Sequence, residues 1–102
     1  MATKAEIFAP IHPGEILKSE YIQPYGLSAN RLARALGVPA NRITQIVAGK
    51  RDVTADTALK LAKAFGTSAR FWLNAQTLYD LEVAEGDSGA AIERTVEVIG
   101  GA

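Results

Sequence analysis

Along the first 85 positions, apolar residues recur at intervals of three and four, in short bursts cut off by glycine or proline. Residues so spaced share one face of a helix, so the pattern predicts helices; no period-two alternation appears before Thr95-Val-Glu-Val-Ile99. Five segments follow. Pro13 suits a first helical turn, and Ile16, Leu17 and Ile22 give an apolar side to a segment ending before Pro24. Ser28 is the expected N-cap of the second, with Leu32, Ala33 and Leu36 in register and Gly37 as its left-handed stop. Pro39 opens the third, whose inward positions are Ile43, Ile46 and Val47, and Gly49 closes it. Thr54 caps a fourth, with Ala58, Leu59, Ala62 and Phe65 on one face before Gly66. Ser68 caps a fifth that runs to about Glu85. Gly86-Asp-Ser-Gly89 reads as a linker, which divides the chain into a domain at 1–85 and a tail at 86–102. Within that tail, residues 95–99 suit a short strand or an ordered end.

The second and third segments have the spacing of a helix-turn-helix. Two helices crossing steeply over a short turn need a small residue at their contact, a turn residue that tolerates positive φ, and apolar side chains that lock the angle. Ala33 is the small residue, Gly37 the turn residue, and Leu32, Leu36, Val38, Ile43 and Ile46 the lock.

Charge turns this shape into a function. The protein is formally neutral, yet residues 1–75 carry ten Lys/Arg against five acids, and residues 76–102 carry Arg94 alone against six. The window Ser28–Arg51 holds Arg31, Arg34, Arg42, Lys50 and Arg51 and no acid. A local positive field over a helix-turn-helix predicts a DNA-binding module. With Ile43, Ile46 and Val47 inward, the third helix presents Ala40, Asn41, Thr44 and Gln45 as candidate base-contacting residues. Asn and Gln amides match the N7/N6 edge of adenine, and Ala40 or the Thr44 methyl suits a thymine methyl. Arg42 reaches either a base or a phosphate. Phosphate contacts are expected from the start of the second helix (Ser28, Ala29, Asn30, Arg31) and from Lys50 and Arg51.

Composition removes most competitors. At 102 residues there is room for one domain, and 48% apolar with 22% charged residues is an ordinary globular mix. With no cysteine, disulfide scaffolds, thiolate metal sites and a cysteine nucleophile are excluded. His12 is the single histidine, so no metal, cofactor or catalytic residue is expected, and its role is to cap the first helix or pack at its entry. No run approaches the roughly 18 apolar residues of a membrane span, and Met1-Ala-Thr-Lys-Ala-Glu lacks a secretory pattern. The fifth segment carries large apolar residues around much of its circumference, which calls for a second buried face. A homodimer is expected, with Trp72, Leu73, Tyr79 and Leu81 at its interface. The acidic tail suits adding a strand to a basic partner, or only keeping the far side of the dimer off DNA.

Four runs carry a family likeness: His12-Pro-Gly-Glu-Ile-Leu, Gln23-Pro-Tyr-Gly-Leu-Ser28, Asn41-Arg-Ile-Thr-Gln-Ile-Val-Ala-Gly-Lys-Arg51 and Gly66-Thr-Ser-Ala-Arg-Phe-Trp-Leu-Asn74. Over about residues 11–85 the chain resembles the HigA/VapI antitoxins of the XRE (Cro/cI-like) helix-turn-helix class. The resemblance implies an all-α, five-helix lambda-repressor-like domain that dimerises on a double-stranded operator palindrome. It also implies repression of its own operon and neutralisation of a HigB-like ribonuclease toxin in the bacterial cytoplasm, at the nucleoid. Operator contacts would fall at Ala40, Asn41, Arg42, Thr44, Gln45 and Lys50. The competing expectation is a stand-alone regulator of the same fold with no toxin.

Overall fold

The computed structural model describes residues 9–101, which form five helices and no strand. α1 begins at Pro13–Leu17 and widens into a π-helical turn at Lys18–Ile22; α2 is Ala29–Leu36, α3 Ala40–Val47, α4 Ala55–Phe65 and α5 Ala69–Thr95. The all-α, five-helix expectation holds. No helix among the described residues is long and apolar enough to cross a membrane.

The polar punctuation acts where the sequence places it. Ser28, Thr54 and Ser68 each accept a hydrogen bond from the backbone N–H three residues on, at Arg31, Thr57 and Phe71. Each thereby satisfies one of the amides that a helix start leaves unpaired. His12 is the cap of α1: its Nδ1 accepts from the Gly14 N–H at 2.9 Å, while the Glu15 carboxylate accepts from the His12 N–H at 3.3 Å. The imidazole is buried edge-on against the Tyr79 ring, centroids 4.9 Å apart. Capping and packing at the helix entry are therefore both its work.

One core joins the helices: Leu17 and Ile22 from α1, Leu32, Ala33 and Leu36 from α2, Ile43 and Ile46 from α3, Ala58 and Leu61 from α4, with Val53 and Trp72. Trp72 lies at its base with no exposed surface, its Nε1 donating to Thr67 Oγ1 at 2.8 Å and its ring 5.2 Å from that of Tyr21. Gln76 ties α5 to the loop before α4. Its Oε1 accepts from the Val53 N–H at 2.7 Å, and its Nε2 donates to Asp52 and Asp80.

Four expectations are corrected. Trp72 cannot serve a dimer interface, because its own chain encloses it completely. In α4 the inward face is Thr57, Ala58 and Leu61, while Leu59 is 64% exposed; the helix is rotated toward Leu61 relative to the expected stripe. Gly86-Asp-Ser-Gly89 is no linker, since α5 runs through it to Thr95. Two glycines cost a helix about 1 kcal/mol each relative to alanine, and the Ala84-Glu85 and Ala90-Ala91 pairs that flank them are good helix formers. Residues 96–101, last, form no strand; Val96 is extended and the segment is exposed.

Candidate nucleic-acid interface

α2 ends because Gly37 adopts φ +71°, so that the Val38 N–H returns to the Ala33 carbonyl at 3.0 Å. Pro39 then starts α3 after a turn of three residues, Gly37 to Pro39. Ala33, with almost no exposed surface, lets the two helices meet, and Leu32, Leu36, Ile43 and Ile46 fix their crossing from inside. A second contact was not foreseen from the sequence. A methyl group on Gly14 would lie 1.8 Å from the Ile46 carbonyl oxygen, so α1 packs backbone-to-backbone against the last turn of α3. A glycine in the first turn of a helix, where many residues are better formers, was the available signal.

This packing leaves one side of α3 outward. Ala40, Asn41 and Thr44 are exposed and Gln45 is half-buried, in line along the helix. Thr44 Oγ1 donates to the Asn41 carbonyl at 3.3 Å, which ties the hydroxyl to the helix and leaves the methyl as the free group. The end of α3 is a left-handed glycine turn: Gly49 has φ +75°, its N–H bonds the Ile46 carbonyl, and the Lys50 N–H bonds the Gln45 carbonyl at 2.8 Å. That turn folds Lys50 and Arg51 back beside Gln45. Arg51 Nε donates to Gln45 Oε1 at 2.8 Å.

At the start of α2, the Arg31 N–H is engaged by Ser28 Oγ at 3.0 Å. The helix-start amides left for an anion are thus those of Ala29 and Asn30, with the exposed Arg31 side chain beside them. Arg42 stands apart from the other cations. Its Nη1 lies 3.6 Å from the Asp56 carboxylate in the first turn of α4. The hydrogen bond and charge of Lys60, followed by the charge of Arg42, hold that carboxyl below the usual carboxylate range. The run from Ser28 to Arg51 is acid-free in sequence but not in space, a distinction that only the approach of Asp56 to Arg42 reveals. Among the described residues no group of three or more His, Cys, Asp or Glu side chains is arranged to hold a metal.

Beyond the body, α5 carries a different surface. Leu78, Leu81 and Ile92 are 55%, 57% and 52% exposed and share a helix face. Of the four residues expected at a dimer interface, Leu81 lies on this stripe, Leu73 and Tyr79 are half-buried against the body, and Trp72 is interior.

Known proteins share this arrangement. The helix-turn-helix family model matches residues 19–72. Virulence-associated protein I of Dichelobacter nodosus is 58% identical over 77 residues, which cover 76% of this chain and 71% of that protein. An addiction module antidote protein of a HigA family from Coxiella burnetii superposes with a TM-score of 0.86 at 51% identity, covering 90% of this chain and all of that one. Pseudomonas aeruginosa antitoxin HigA, solved with the higBA promoter, gives a TM-score of 0.86 at 43% identity, over 88% of this chain and 98% of that one. On its matched helices and these relatives, the chain belongs to the XRE helix-turn-helix family, in the group of the HigA antitoxins and virulence-associated protein I.

Proposed function

We propose that this chain is a sequence-specific DNA-binding repressor and the antitoxin of a HigBA-like system, one that represses its own operon and neutralises a ribonuclease toxin. The observation that carries this reading is the outward row Ala40, Asn41, Thr44 and Gln45 on a helix whose opposite side is buried at Ile43 and Ile46. The solved antitoxin HigA with its promoter supports it from outside the chain. In the reading, α3 enters the major groove and Asn41 and Gln45 pair with base edges, while the Thr44 methyl and Ala40 meet thymine methyls. Ser28, Ala29, Asn30, Arg31, Lys50 and Arg51 hold the phosphates on either side. Arg42, drawn toward Asp56, serves a phosphate rather than a base.

A homodimer matches a palindromic operator, and the stripe of Leu78, Leu81 and Ile92 is the surface that a second copy would cover. The protein acts in the bacterial cytoplasm, at the nucleoid. A footprint on the DNA upstream of its gene, with and without the neighbouring gene product, tests both halves. A protected palindrome is expected; about four phosphates neutralised per subunit give a log–log salt slope of roughly −7. No protected site overturns the repressor. A neighbouring product that neither binds the chain nor is inhibited by it overturns the antitoxin role and leaves a regulator alone.

A further inference from the structure

The contact between Arg51 and Gln45 joins two groups to which the reading above gives separate tasks, one on the DNA backbone and one on a base. An arginine Nε is only a donor, so the Gln45 atom it meets at 2.8 Å is the amide oxygen. The bond fixes which way the amide is turned. A primary amide free at the end of its side chain has two flips, which present oxygen and NH2 in opposite order to the groove, and the two match different base edges. With the oxygen tied to Arg51, one flip is selected; the oxygen keeps its second lone pair and the NH2 keeps both donors. The terminal nitrogens of Arg51 stay available to a phosphate, and the side chain is exposed.

The backbone explains why two residues six apart meet. Gly49 at φ +75° reverses the chain, and the Lys50 N–H locks onto the Gln45 carbonyl, which sets the next residue, Arg51, alongside the Gln45 side chain. We infer that Arg51 is a positioning residue for base recognition: by holding the Gln45 amide in one orientation it sets the specificity at one base pair per half-site without touching that base pair. Grip on the backbone and reading of the base are thereby coupled through a single guanidinium. The inference rests on the proposed role of Gln45 at a base edge.

The test uses a duplex that the full-length protein selects from a random-sequence pool. Every single-base variant of that duplex is then titrated with the wild type, Gln45→Ala, Arg51→Ala and the double variant. Gln45→Ala is expected to flatten the preference at one base pair per half-site. Arg51→Ala is expected to reduce discrimination at that same pair by about fivefold or more and to leave the other pairs unchanged. The double variant should be no flatter there than Gln45→Ala alone, because the two residues act as one unit. The inference is overturned if Arg51→Ala weakens all duplexes alike, lowers the salt slope by about one per subunit and keeps the preference at that pair. If Gln45→Ala itself alters no preference, the reader assignment falls, and this inference with it.

Discussion

The two ends of the molecule solve opposite problems with similar residues. In α2 and α3 every large aliphatic side chain turns inward: Leu32, Leu36, Ile43 and Ile46 are buried, and what remains outside is amide, hydroxyl, methyl and cation. Along α5 from Leu78 onward the order is reversed, with Leu78, Leu81 and Ile92 outside, among Asp80, Glu82, Glu85, Asp87 and Glu93. A surface of fixed hydrogen-bonding groups and positive charge suits a polyanion whose edges carry donors and acceptors. An apolar face interspersed with acids suits protein, and it repels DNA. The chain's formal neutrality is the sum of two faces of opposite character.

Substitutions separate the two faces. The largest effect is expected from Trp72→Ala, which removes the side chain at the base of the core. A loss of about 3–5 kcal/mol of folding stability should appear in denaturant melts, with both surfaces lost together. Gly14→Ala comes next. The new methyl meets the Ile46 carbonyl, so α1 and α3 must separate; a cost of about 1–3 kcal/mol is expected. DNA affinity should fall by more than the melt alone explains, because α3, the helix proposed to enter the groove, is displaced. Leu81→Glu should change monomer stability by no more than about 0.5 kcal/mol, yet shift the sedimentation velocity from dimer to monomer. A Leu81→Glu protein that still sediments as a dimer would mean that the stripe faces something other than a second copy.

Much of this was legible because local chemistry and global packing agree. Ser28, Thr54 and Ser68 act as caps where the pattern places them, and Gly37 and Pro39 set the turn between α2 and α3. What was missed depends on contacts between distant residues. Leu59 and Leu61 are both apolar and two positions apart, and only the packing of α4 against α5 and α2 decides which one turns in. Gly86 and Gly89 read as breakers, yet their neighbours carry the helix across them. Gln76 gave no sign that it would reach back 23 residues to the Val53 amide. At the site, the outward row on α3 followed from helical periodicity alone. The pairing of Arg42 with Asp56 and that of Arg51 with Gln45 needed the fold, the first across two helices and the second around a glycine turn.

The claim on which the rest depends is that the outward amides of α3 read DNA. It is tested most directly by the affinity of the wild type and of Asn41→Ala for the selected operator and for a scrambled duplex of equal length, with helical content followed in parallel. The operator should lose about 1–3 kcal/mol on substitution, while the scrambled duplex is bound as before and the helices stay intact. Equal affinities of the two proteins for both duplexes would contradict the account and move the interface to another face of the molecule.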